Sequence, residues 1–341
     1  MIDHRRDRPL QFCARLSCLQ CSGLSIKATL ILQCVLVMAL LSGAQSADAT
    51  SMSGPLIGTP TLTYGGDSAD PSILVVNGTY YAYSTNFGEQ NMPVMSSTDL
   101  IHWRRIGDAM ALLPSWAIDL KGFTWAPFVA LVPGGGGYEA FFSALDINGQ
   151  ECLGRATAPT PTGPFLDTSP NALLCSKSQG AIDPSLFRSA SGDFLIWKVD
   201  TGKNEPSRIV AQQLSAMDSS LMGAPTTLLT AEQAWEDGIV EGPSLVAIEG
   251  QIWLFFSANR WDTSNYVIGA TTCASPLGTC DGTDAHIVES SGPGMAGPGG
   301  PDVFVAQNHL DLAFSAWIDG PPGARGARRA LYVSRLDAGG S

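Results

Sequence analysis

Three carboxylates stand beside the proline of one recurring short motif, Asp70 and Asp183 directly before it and Glu241 one position earlier, where a fourth copy has Trp125. Two carboxyl groups flanking a neutral cavity are the least that hydrolysis of a glycosidic bond requires. One, protonated, gives its proton to the leaving oxygen; the other, ionised, activates water or attacks the anomeric carbon. A third acid can hold the donor's pKa up by its own charge. Taken singly, an Asp before proline is a turn residue and a tryptophan belongs to a core. Three acids in register resist that reading, because crowded like charges raise one another's pKa at a cost in stability. Such a cost marks functional sites, and a tryptophan beside them offers a flat face to a sugar ring.

The motif recurs five times, as Asp70-Pro71-Ser72, Ala126-Pro127-Phe128, Asp183-Pro184-Ser185, Gly242-Pro243-Ser244 and Gly300-Pro301-Asp302. Its prolines are separated by 56, 57, 59 and 58 residues, the regular period of a repeat architecture. Each proline opens an apolar run, with proline expected at the strand head, where its missing N–H falls outside the ladder. A turn follows, Asn77-Gly78 or Glu249-Gly250 for example, and then a more aromatic run such as Tyr80–Ser84, Tyr138–Ser143 or Ile252–Ser257. A hairpin uses half of each repeat and leaves room for two more strands. Four strands taken five times around an axis make an all-β, five-bladed β-propeller, whose equivalent positions converge on one central cavity. Residues 48–64 and the run Arg329–Leu336 are candidates to close the ring. The Gly/Pro-dense stretches 291–301 and 319–326 read as loops.

Residues 1–47 lie outside the repeats. Arg5, Arg6, Arg8, Arg15 and Lys27 precede an uncharged apolar run, Ala28–Leu41, followed by small residues. This is the pattern of a secretory signal. The alternative, a retained anchor, is disfavoured because the apolar run falls short of the roughly 20 residues of a membrane span. The expected organisation is a signal over 1–47 and a single catalytic propeller over 48–341, secreted as a monomer and free of the membrane. Taking the segment's five basic and two acidic residues from totals of 19 and 31 leaves 14 against 29, a net charge of −15. That balance excludes nucleic acid and anionic membrane as partners and suits a neutral substrate. Four cysteines remain after residue 47, and an even number in an exported chain reads as disulfides. Of three pairings, closeness in sequence favours Cys152–Cys175 and Cys273–Cys280. Asn77-Gly78-Thr79 is a glycosylation sequon at a hairpin tip.

Ala69-Asp70-Pro71-Ser72, Trp125-Ala126-Pro127, Ala181-Ile182-Asp183-Pro184-Ser185 and Val240-Glu241-Gly242-Pro243 together resemble the motif set of glycoside hydrolase family 43. The resemblance spans roughly residues 60–318. It implies a five-bladed propeller and an inverting enzyme acting on α-L-arabinofuranosyl or β-D-xylosyl linkages of plant cell-wall polysaccharide. It also implies that Asp70 is the general base, Glu241 the general acid, Asp183 the residue that tunes and orients Glu241, and Trp125 part of the first sugar site. Many members carry a histidine beside an axial metal, often calcium, in a Gly-x-Gly-His stretch. Here the stretch is Gly297-Pro298-Gly299-Gly300-Pro301, and His309 falls beyond it in a hairpin, so no metal is assigned and no cofactor is required. Exo-action is favoured over the alternative of an endo-1,5-α-L-arabinanase by Glu241-Gly242-Pro243, where endo-arabinanases commonly have alanine. A non-catalytic lectin would repeat one site per blade, whereas the axial positions here differ from blade to blade.

Overall fold

The computed structural model describes residues 55–337 except 177, 203 and 204. The expected signal segment and its cleavage site lie outside the described residues.

The described residues form five antiparallel sheets arranged as propeller blades, and helix among them is confined to one 3-10 turn, Ala234–Glu236. Blade I consists of Ser72–Val76, Thr79–Tyr83, Pro93–Ser97 and Arg104–Asp108. The inner strands of blades II to V are Thr124–Leu131, Gly180–Ser189, Val240–Ile248 and Ala296–Ala306, and each opens a hairpin with the next strand. Blade V is closed by the first of the described strands. Its last segment, Arg328–Asp337, pairs on one side with His309–Ile318 and on the other with Leu56–Ile57 and Thr61–Tyr64. Pairing of the two ends of the domain completes the ring, as the sequence suggested.

The aromatic second runs fill the spaces between blades. Tyr83, Phe141, Phe142, Phe255, Phe256 and Phe314 are fully buried, and a separate apolar cluster occupies each of the five blade interfaces. A strand buried on both faces need not alternate, so these segments read as continuous apolar runs. Asn77 and Gly78 both take positive φ, 49° and 77°, as the two-residue turn between Val76 and Thr79 demands. Asn77 is exposed there. Disulfides join Cys152 to Cys175 and Cys273 to Cys280.

Two expectations need correction. The prolines do not head the inner strands of blades II to V; they sit inside them, where the register to the neighbouring strand shifts, between Trp125 and Phe128 for example. A bulge tolerates proline as well as a strand head does, since the extra residue leaves the ladder unpaired. The stretch 291–301 is also not all loop, because strand begins at Ala296. Its glycines answer to crowding. A Cβ on Gly299 would lie 1.9 Å from the Tyr266 ring, and one on Gly300 would lie 2.8 Å from the Asp70 Cα.

The ring is stitched shut by Asp302, whose Oδ2 accepts the Ile73 N–H at 2.6 Å, from blade V to blade I. Ser72 and Ser244, at the same repeat position, accept Val129 and Val303 N–H groups across their own interfaces. Burial pushes the Asp302 carboxyl from 3.8 up to about 7, against the opposing effect of that hydrogen bond. The folded chain therefore holds this proton more tightly than the unfolded chain. Stability from this group is present at low pH and is lost as pH rises from about 4 to about 7, as the unfolded carboxyl ionises before the folded one. Asp302→Asn keeps an oxygen for Ile73, so its thermal midpoint is expected to fall less over that interval than wild type's. Parallel falls for the two proteins, in melting curves at stepped pH, would refute it.

Candidate active site

The five residues before the prolines share one strained backbone conformation. Asp70, Ala126, Asp183, Gly242 and Gly300 have φ of 49°, 42°, 57°, 53° and 65°, in the left-handed region that costs a side chain energy. Each N–H at these positions is taken by a group from the preceding blade. Ala126 donates to Thr85 Oγ1 at 2.9 Å, Asp183 to Ser143 Oγ at 2.9 Å, Gly300 to Ser257 Oγ at 2.8 Å and Asp70 to Ser315 Oγ at 3.3 Å. At the fourth junction Gly242 donates to the Asp183 carboxylate instead, at 3.0 Å. The hydroxyl is missing there because the register position of Ser143, Ser257 and Ser315 is occupied in blade III by Lys198, opposite Ile182.

These left-handed turns bring the predicted residues into one cleft of about 500 Å³, lined by Asp70, Trp125, Asp183 and Glu241 with Thr85, Lys198, Trp261, Tyr266 and Arg329 among others. All four residues singled out in the sequence are brought together. The three carboxyls have different surroundings. Asp70 accepts from Thr85 Oγ1 at 2.6 Å on one oxygen and from Arg329 at 3.0 Å on the other. The Arg329 guanidinium lies 5.2 Å from the ring centre of Trp261, itself stacked on Trp317, and this aromatic face fixes the cation. Glu241, buried, accepts from Lys198 Nζ at 2.9 Å on Oε2 and from the Tyr266 hydroxyl at 2.6 Å on Oε1. Asp183 is within electrostatic reach of both other carboxyls. Burial first, and then the charge of Glu241, pushes its carboxyl up to about 8, with Lys198 pulling the other way.

Residues 59–336 match the sequence pattern of glycosyl hydrolases family 43. The chain belongs to that family. It is 26% identical over 276 residues to a β-D-galactofuranosidase of Aspergillus niger, with 76% of each chain covered. It is 27% identical to a xylan 1,3-β-xylosidase of a Vibrio species over 62% of this chain, spanning only 39% of that enzyme. Among solved structures it resembles an endo-1,4-β-xylanase of Bacteroides thetaiotaomicron, with a TM-score of 0.65 and 25% identity over 83% of this chain and 97% of that one. The protein is thus an enzyme that hydrolyses glycosidic bonds.

The axial metal found in some family 43 enzymes does not suit these residues. His309 begins the second strand of blade V and pairs with Asp311 at 3.1 Å, and among the described residues no histidine lines the cleft. Asp70 and Glu241 are each matched by a cation of the protein itself, Arg329 and Lys198.

Sequence reasoning missed Thr85, Lys198, Tyr266 and Arg329. Tyr266 and Arg329 come from a loop and the closing strand, 25 and 259 residues from the carboxylates they serve, and no local pattern announces them. Lys198 was legible in principle, as the one break in a column of hydroxyls at Thr85, Ser143, Ser257 and Ser315.

The approach of Gly300 to Asp70 yields a further expectation. With φ at 65° and backbone 2.8 Å from a built Cβ, Gly300→Ala must move the Asp70 main chain. A misplacement of the order of 1 Å costs about a hundredfold in turnover. The kcat should fall by about that factor while circular dichroism stays native; wild-type kcat would show that the contact is relieved elsewhere.

Proposed function

We propose that the protein is a secreted, monomeric exo-glycosidase that inverts configuration as it releases α-L-arabinofuranosyl or β-D-xylosyl units from plant cell-wall polysaccharide. The observation that carries this reading is the difference in partners among three carboxyls sharing one cleft. In this reading Asp70, half-buried and held by Arg329 and Thr85, is the general base. It takes a proton from water as the water oxygen bonds to the anomeric carbon. Glu241 gives its proton to the glycosidic oxygen as the bond from that oxygen to the anomeric carbon breaks. Asp183 grips the Gly242 N–H, which follows Glu241 directly, and the charge of Glu241 helps to push the Asp183 carboxyl up. Trp125, on the neighbouring blade, offers its face to the sugar ring, supported by Phe123 packed edge-on at 6.2 Å.

Base and acid stand on different blades, which is compatible with the separation that inversion requires for a water between them. The net charge of −15 after residue 47 suits an uncharged polysaccharide, and no helix among the described residues is long and apolar enough to cross a membrane. Relatives named for furanoside and xyloside release support both ring forms. The test is hydrolysis of aryl α-L-arabinofuranoside, β-D-xylopyranoside and β-D-galactofuranoside, with the anomer of the product read by NMR. Release of the first or second sugar as the inverted anomer is expected. Release of galactose alone would replace the substrate class. Oligosaccharides from arabinan or xylan, without monosaccharide, would replace exo- by endo-action.

A further inference from the structure

Lys198 stands where four blades have a hydroxyl, and it has abandoned the task of that hydroxyl. Thr85, Ser143, Ser257 and Ser315 each receive the N–H of the next blade's bulge; opposite Lys198 that N–H goes to Asp183. The ammonium instead bridges Glu241 Oε2 at 2.9 Å and Asp200 Oδ2 at 3.0 Å, and the side chain is 7% exposed. A buried lysine is costly and is kept charged only by its neighbours. Burial draws its pKa down, but the charges of Glu241, Asp200 and Asp183 more than reverse this, so the group stays an ammonium.

An ammonium can donate hydrogen bonds and cannot accept one. Glu241 Oε2, facing it, is thereby committed to accepting. Oε1 faces the Tyr266 hydroxyl, which is also hydrogen-bonded to Ser257, and a hydroxyl can turn to donate or to accept. Only Oε1 has a partner that tolerates a carboxyl proton. We propose that Lys198 is a positioning residue for proton donation: it forces the proton of Glu241 onto Oε1 and so fixes the edge of the carboxyl that meets the glycosidic oxygen. This rests on the reading of Glu241 as the proton donor.

The ammonium also has an electrostatic effect on the donor pair. Glu151, Asp200 and Asp70 place negative charge near Glu241 or its partners, and Arg329 sits on the Asp70 side of the cleft. Lys198 is the cation in direct contact with the donor. Lys198 opposes the rise of the Asp183 carboxyl beside Glu241, so removing its charge lets that carboxyl rise further and moves the alkaline limb of kcat/KM to higher pH.

The decisive variants are Lys198→Ser, which restores the hydroxyl of the other blades and so gives the Gly242 junction a familiar partner, and Lys198→Arg, which keeps the charge. In Lys198→Ser the alkaline limb should rise by about one pH unit or more. Turnover of a poor-leaving-group glycoside should fall at least tenfold further than that of an activated one. Lys198→Arg should hold the limb at its wild-type position. An unmoved or lowered limb in Lys198→Ser, or equal losses on the two substrates, would overturn the inference. Glu241→Gln, assayed alongside, separates the two failures. If it retains full activity on the poor leaving group, the donor reading falls; if it loses that activity while Lys198→Ser fails either test, only the role of Lys198 falls.

Discussion

Replacing Asp70 by asparagine is expected to leave a folded protein that turns over neither an activated aryl glycoside nor a natural polysaccharide. Asparagine keeps an oxygen for the Thr85 hydroxyl and is nearly the same size, so the left-handed bulge and its N–H bond to Ser315 stay in place. Arg329 loses an anion but keeps its seat over Trp261 and Trp317. On the proposed mechanism, what is lost is the group that takes the proton from water. General-base removal costs on the order of a hundred- to ten-thousandfold, and the upper end is expected here. Asp183 holds its own proton more firmly than an ordinary aspartate, up to about 8, and its Oδ2 is committed to Gly242, so it is a poor substitute. The loss should be the same for good and poor leaving groups, since the missing step concerns the water and not the departing oxygen. Assays on both substrate types, with the melting midpoint measured in parallel, check this. Turnover retained on either type would move the water-activating role to another residue.

The sequence exposed this site because of how a propeller is made. Each blade must reach the axis through an equivalent strand, so functional residues recur at the repeat period and can be aligned within one chain. Asp70, Trp125, Asp183 and Glu241 were found by that alignment alone, and the proline that marks the register sits in the bulges that present Trp125, Asp183 and Glu241. Blade count, ring closure by the two ends and both cysteine pairings were legible for related reasons, being local or periodic. The position of proline within the strand was not, because head and bulge both spare it a ladder bond. Nor was strand at Ala296, where glycine is imposed by Tyr266 and Asp70, both distant in sequence. Partners from outside the repeat, Tyr266 and Arg329, leave no trace in the alignment. Lys198 did leave one, a cation in a column of hydroxyls, and a departure from an internal repeat carries as much information as the repeat itself.

The complementary substitution, Glu241→Gln, should divide substrates by the acidity of their leaving groups. A leaving phenol of low pKa departs without a proton, whereas a sugar hydroxyl cannot, so the activated glycoside should be turned over within about tenfold of wild type and the polysaccharide about a thousandfold more slowly. Glutamine can still accept from Lys198 with its oxygen and present its amide to Tyr266, which can accept by turning its own proton toward Ser257. The carboxyl is thus removed with little change of shape. The pH profile gives a second discrimination. Asp183 is raised by burial and then by the negative charge of Glu241, and an uncharged glutamine abolishes that second contribution while Lys198 remains to pull the other way. The Asp183 carboxyl should therefore ionise at lower pH in the variant, and a native-state titration followed by carboxyl NMR should show its midpoint below about 8. An alkaline limb arising from loss of the donor's proton should vanish from the activated substrate's profile, because that reaction no longer uses the proton. If the limb persists unchanged and the polysaccharide is still cleaved at the wild-type rate, the proton comes from elsewhere. The bonds of Lys198 and Tyr266 to Glu241 would then describe a structural ion pair, of the kind that perturbs pKa values without taking part in the reaction.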